Sequence, residues 1–304
     1  MEESWFKRSL RRLKTREPIQ MKSLAHYIQE KLAINSLQER LIIKKNNNYK
    51  YFPKTKEELK EIIVKRIKAE GKDADLNDID VSKITDMSRL FEDTNFSGNI
   101  SNWDVSNVKN MLYMFFDCKK FNTDISNWDV SNVTNMFSMF LGCEKFNQDI
   151  SNWDVSNGTD MNRMFFGCKK FNQDISAWAV SNVKNMDGMF ANCASFNKDI
   201  SSWDVSNVNS MDGMFNKCIK FNQDISAWDV SNVKNMSGMF SGCVNFNKDI
   251  SKWDVSGVTN MRSMFYKCES FNKDISNWDI SDGTITEYMF DWCIIKDKYK
   301  PKFK

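Results

Sequence analysis

Residues 121–145 read FNTDISNWDVSNVTNMFSMFLGCEK, and these 25 residues return, barely altered, along most of the 304-residue chain. Tryptophan marks the step at Trp103, Trp128, Trp153, Trp178, Trp203, Trp228, Trp253 and Trp278. All eight cysteines keep it as well, at Cys118, Cys143, Cys168, Cys193, Cys218, Cys243, Cys268 and Cys293. A fixed period of this length marks a repeat architecture rather than two ordinary domains. Nine of the 25 positions are apolar: Phe121, Ile125, Trp128, Val130, Val133, Met136, Met139, Phe140 and Cys143. One unit cannot bury nine such side chains alone, whereas stacked copies share a continuous core.

Within the unit, DISNWDV alternates imperfectly and is rich in β-branched and aromatic residues, so it reads as a short strand. Met136, Met139, Phe140 and Cys143 follow i, i+3, i+4, i+7 spacing, the stripe of a short amphipathic helix, with Asn132 or Asn135 as its N-cap. Each unit is then strand, turn, helix, turn. Full units run from about residue 96 to 293. A degenerate one precedes them, from Leu76 to Phe91, with Leu90-Phe91 in place of Met-Phe. The last, SDGTITEYMFDWC, has lost the Val and the first Met, as suits a terminal unit. Eight to nine turns at ~4.8 Å spacing predict a rod ~40 Å long.

Ahead of the repeats, Thr55 and Glu58 form a capping box, and Leu59, Ile62, Ile63 and Ile67 share one face, with Gly71 as a stop. This predicts a helix within residues 51–75, placed to cover the open end of the array. Residues 18–43 also show helical spacing at Leu24, Ile28, Leu32, Leu37 and Leu41. The net charge of +3 divides unevenly: residues 1–50 carry +7, residues 51–75 +1, and residues 76–304 −5. The domain reading is a basic helical extension at 1–50, a capping helix at 51–75, the repeat array at 76–293 and a tail at 294–304.

At 41% hydrophobic and 13% aromatic, the chain is too apolar to be disordered. It has no apolar run near the ~20 residues of a membrane span, and its N-terminus, MEESWFKRSLRRLK, lacks a signal-like apolar core. The expectation is a soluble, intracellular protein. A single histidine, His26, excludes histidine triads and multi-histidine metal sites within the chain. Phosphate loops, nucleophile elbows and HExxH are absent from the sequence. The reading is therefore non-enzymatic, with no cofactor.

The string FNxDISxWDVSNVTNMxxMFxxC resembles the 25-residue repeat of the BspA-like leucine-rich-repeat proteins, found in mycoplasmas, other bacteria, some protists and large DNA viruses. The lead-in YFPKTKEELKEIIVKRI is similar too, so the resemblance covers roughly residues 50–293. It implies an α/β repeat fold, an LRR-like right-handed solenoid of eight to nine 25-residue strand-turn-helix units with an N-terminal helical cap. For secreted relatives it implies adhesion or host binding at a surface. The Asn- and Lys-rich composition fits an intracellular or viral member, located in the host cell if viral.

Each cysteine sits three residues after Phe on the apolar stripe, which places it in a buried column of reduced thiols; in-register neighbours are poorly set for a disulfide. Two Asp columns run along the array. One is Asp124, Asp149, Asp174, Asp199, Asp224, Asp249 and Asp274, led by Asn99. The other is Asp104, Asp129, Asp154, Asp204, Asp229, Asp254 and Asp279, interrupted by Ala179. Either turn N–H groups compensate the stacked charge, or bound cations such as Ca²⁺ do.

Recognition is expected where units differ. Counting Phe121 as position 1, the chain varies at positions 17, 18, 21, 22, 24 and 25. Units two to four carry Tyr113, Phe116, Phe137, Leu141 and Phe166 there, beside Lys119, Lys120, Lys145, Lys169 and Lys170. Later units carry Ala191, Asn216, Ser241 and Tyr266 at position 21. An apolar patch with a basic rim suits a protein partner; packing of the N-terminal helices against it is the alternative. The basic residues 5–16 offer a second mode, binding nucleic acid or an anionic membrane.

Overall fold

A computed structural model describes residues 49–303. The expected helices at 18–43 and the basic segment at 5–16 lie outside the described residues. Among the described residues one α-helix stands ahead of the repeats, α1 at Lys56–Glu70. Its cap takes a variant form of the expected box: Thr55 accepts the Glu58 N–H at 3.2 Å, and the Glu58 carboxylate takes the N–H of Lys54, one residue before the cap, at 2.6 Å. Gly71 ends the helix at φ +89°, its N–H returning to the Ile67 carbonyl, an extended positive-φ conformation open to glycine because it has no Cβ. Leu59 and Ile63 are buried in the same core as the repeats. Arg66 ties α1 to the first unit by hydrogen bonds to the Asp78 carboxylate at 2.7 Å and the Asp75 carbonyl at 2.8 Å.

The repeats themselves correct the expected strand-turn-helix unit. Among the described residues of the array there is neither a strand nor an α-helix. Each unit is a chain of tight turns, joined to its neighbour by isolated parallel bridges such as Asn110 with Asn135 and Asn135 with Asp160. The segment expected to be helical shows why. The N–H groups of Met114, Phe116 and Cys118 close turns onto the carbonyls of Met111, Tyr113 and Phe115. Those of Met111, Tyr113, Phe115 and Asp117 instead point outward, to Asn135, Phe137, Met139 and Leu141 of the next unit, at 2.7–3.0 Å. Alternate donors thus serve the unit and its neighbour, and every such backbone donor is satisfied without a helix.

Two backbone positions make this possible. Position 18 has φ between +52° and +59° in Tyr113, Ser138, Arg163, Gly188, Gly213, Gly238, Ser263 and Tyr288. Position 22 is left-handed as well, in Asp117, Gly142, Gly167, Asn192, Lys217, Gly242, Lys267 and Trp292. Both are the third residue of a turn closed by an i to i+3 hydrogen bond, where positive φ defines type II and glycine or asparagine is favoured. A helix cannot pass through them.

The expected strand DISNWDV is replaced for a related reason. Asp124 Oδ1 accepts the Ser126 N–H at 2.9 Å and Asp129 Oδ1 the Ser131 N–H at 3.2 Å. These Asx turns bend the chain twice within seven residues. The proposed N-cap residues have other tasks. Asn132 donates to the Ser106 carbonyl at 2.8 Å, and Asn135 Oδ1 accepts the Phe137 N–H at 3.0 Å.

The core runs unbroken from Leu59 to Ile295. The nine apolar positions read from the sequence are all buried in residues 121–145. Phe115, Phe140, Phe165 and Phe190 stack with centroids 5.6–5.7 Å apart, and Phe121, Phe146 and Phe171 form a second row at 5.9–6.0 Å. Each repeat tryptophan donates its indole N–H to the preceding unit, as Trp153 does to Ile125 at 3.1 Å and Trp178 to Ile150 at 3.1 Å. This lets a large ring with one polar atom sit in an apolar interior. At the far end, Tyr299 accepts the Ile275 N–H at 3.0 Å and Ile295 is buried, so residues 295–301 cover part of the last unit.

Candidate interaction surface

Seven cysteines lie in the core and Cys293 is half-buried against it; all eight are free thiols. The first seven each donate Sγ–H to a phenylalanine carbonyl of the preceding unit, Cys143 to Phe115 at 3.0 Å and Cys193 to Phe165 at 2.9 Å, while Cys293 reaches Phe271 of its own unit at 3.6 Å. Burial pushes the thiols of Cys143, Cys168, Cys218 and Cys243 far up, which removes the reactive thiolate. These residues bind units together.

The Asp columns have a structural task of the same kind. Asp149, Asp174, Asp224 and Asp249 each accept the N–H of the serine two residues on, and that bond holds their carboxyls below the usual range. At Asp204, Asp254 and Asp274 the serine hydroxyl contributes most and the N–H adds to it. Asn99 makes the same turn uncharged, accepting the Ser101 N–H at 3.2 Å. Among the described residues no group of three or more His, Cys, Asp or Glu side chains comes together as a metal cage.

A pH dependence follows. With depressed folded values, these carboxylates stabilise the fold above the unfolded range near about pH 3.9, and that contribution is lost as pH falls through the folded values. Burial raises Asp160, and burial with the neighbouring Asp187 raises Asp212, which oppose the trend. Thermal melts from pH 7 downward should show stability dropping below about pH 4. A combined Asp149, Asp174, Asp224 and Asp249→Asn variant, which keeps the acceptor oxygen, should show a shallower drop.

The variable residues are brought together on the double turns rather than on a helix. Tyr113 meets Phe116 edge-on at 5.3 Å and Phe137 at 5.2 Å, and Arg89 lies over its ring at 4.5 Å. Leu141 follows Phe116 in the next unit, linked by the Asp117 N–H to the Leu141 carbonyl at 2.7 Å, and the Gly142 N–H reaches the Phe166 carbonyl likewise. All five apolar side chains are half-buried, so the patch is a shallow strip. Lys119, Lys120, Lys145, Lys169 and Lys170 are exposed beside it. Two of them are already paired, Lys119 with Asp117 at 3.3 Å and Lys169 with Glu144 at 2.9 Å.

More exposed apolar side chains stand elsewhere, several of them near the end of the array. Trp292 is 76% exposed and Tyr288 55%, close in the chain to Ile285 and Ile294. The signal was in the last unit: Tyr288 and Trp292 hold the positions of Gly238 and Gly242 two units earlier. Here the ladder runs out. The N–H groups of Thr286, Tyr288, Phe290 and Trp292 donate to no acceptor among the described residues.

No helix among the described residues is long and apolar enough to cross a membrane. The family described as "Mycoplasma protein of unknown function, DUF285" matches residues 58–162, 125–217 and 199–299. The three matches overlap because one repeat fits the next. No curated protein matches the chain.

Proposed function

Since the chain belongs to the DUF285 family, whose description assigns no activity, we propose from its own surfaces that it is a non-enzymatic scaffold for protein–protein contact. Its docking strip is formed by units two to four. One observation carries this reading: Phe116, Leu141 and Phe166 align on neighbouring units at a position where Ala191, Asn216 and Ser241 serve the same backbone equally well. The fold does not require those larger side chains, and partly exposed apolar groups with a polar, charged rim suit an interface. The constant register between units also supports reading the array as a solenoid, and the right hand rests on the BspA-like resemblance alone. The turns then stand where a strand and helix were expected.

Affinity capture from the native cell, comparing wild type with Phe116→Asp/Phe166→Asp, tests the reading. Both positions are half-buried at the surface, and matched thermal melts verify the fold. The captured partner should be lost in the variant and retained when residues 1–17 are deleted. Retention in the Asp variant refutes the strip. Loss on the deletion, with binding that fades steeply at moderate salt, would transfer the function to the basic N-terminus.

A further inference from the structure

Cations accompany the strip. Lys120, Lys145 and Lys170 occupy position 25, one per unit, exposed and without an ion pair to a described carboxylate. Arg89, over the Tyr113 ring, is paired with Glu92 at 2.6 Å, and Arg163, at the position of Tyr113, is exposed. Lys119 and Lys169 are neutralised by Asp117 and Glu144. Stacked like charges repel, so an acidic partner is favoured over a neutral or basic one.

Spacing selects the partner's conformation. Backbones joined by these hydrogen bonds lie about 4.8 Å apart, and the rings beneath the strip repeat at 5.6 and 5.7 Å. An α-helix laid along the strip returns a side chain to one face every ~5.4 Å. An extended strand does so every ~6.6–6.8 Å. Over the two steps from Phe116 to Phe166, a helix falls out of register by about 1 Å and a strand by roughly 2–4 Å. The row ends at the buried Ala191, which limits the docked helix to about three turns.

Resting on the scaffold reading, we infer that the strip docks a short amphipathic helix whose apolar face is flanked by Asp or Glu. The probes are three fluorescent peptides of about 14 residues, built from Leu, Ala and a charged residue, and read by anisotropy against the full chain. One carries Leu at helical period with Glu flanks, one has the same composition at period two, and one is the helix with Lys for Glu. The acidic helix should bind at least ten-fold more tightly than the other two. It should lose at least ten-fold with Leu141→Asp and with combined Lys120, Lys145 and Lys170→Glu, variants whose melts stay like wild type. Equal binding of the period-two or basic peptide overturns the inference, as do unchanged affinity in both variants and no binding of the acidic helix at millimolar concentration. Should capture still depend on Phe116 and Phe166 in any of those cases, the helix is wrong and the scaffold reading stands.

Discussion

Phe165→Ala is expected to lower the unfolding free energy by about 3–5 kcal/mol, in the range for removing a large buried ring. Phe165 is fully buried, stacked between Phe140 and Phe190 at 5.7 Å on each side. It also packs on Phe171 at 4.2 Å and Trp178 at 6.1 Å. Collapse cannot fill the void, because backbone bonds fix the units on either side: Phe140 N–H to Met164 at 2.9 Å and Phe165 N–H to Met189 at 3.0 Å. Each unit touches only its neighbours, so a cavity in mid-array also weakens the coupling between the two halves. Urea unfolding followed by tryptophan fluorescence should therefore show a broader transition as well as a lower midpoint. Trp292→Ala, at an exposed position, should stay within about 0.5 kcal/mol of wild type. A loss below about 1 kcal/mol for Phe165→Ala would show that the core is not continuous there.

Gly142→Val combines two faults. Gly142 has φ +78°, and a Cβ there would lie 2.8 Å from Asp117 Oδ1 and 3.2 Å from Asp117 Cα. The left-handed conformation costs an L-residue about 1–2 kcal/mol, and a β-branched side chain is a genuine outlier there. Crowding the backbone of the preceding unit adds roughly 1–3 kcal/mol. The expected loss is about 2–5 kcal/mol by the same urea assay. Lys217→Gly relieves the same position in another unit, where φ is +57°. It should leave stability unchanged or raise it by up to about 1 kcal/mol.

Much of this arrangement was legible in the sequence, and the rest failed for identifiable physical reasons. The 25-residue period and the buried positions could be read directly, because every unit repeats the same demand for burial. The capping box at Thr55 and Glu58 gave α1, since its donors and acceptors are all local. The MxxMFxxC stripe misled because an i, i+3 pair is brought onto one side by a closed turn as well as by a helix. Glycine held the contrary signal. Gly188, Gly213 and Gly238 at position 18, with Gly142, Gly167 and Gly242 at position 22, would each cost a helix interior about 1 kcal/mol relative to alanine. In a type II turn they are the preferred residues.

The strip was legible only as a departure from the repeat. Its residues could be named, but their half-burial depends on which side of a turn they leave from, and the pairing of Lys119 and Lys169 depends on geometry between units. Trp292 is hidden in the sequence because it falls within a degenerate terminal unit. The positive φ at Tyr288 and Trp292 shows that unit keeping the backbone of the others while placing large rings where small residues stood.

Whether the units are built from paired left-handed turns is decided most directly by Gly213→Ala, measured by urea unfolding. Gly213 has φ +58°, and an added Cβ would meet nothing closer than Asn216 Cβ at 3.7 Å, so crowding does not enter and the sign of the change reports the backbone alone. In a left-handed turn the substitution lowers stability by about 1–2 kcal/mol, which is the expected result. In a helix it would raise stability by about 1 kcal/mol, and that increase would contradict the turn architecture on which the position of the strip depends.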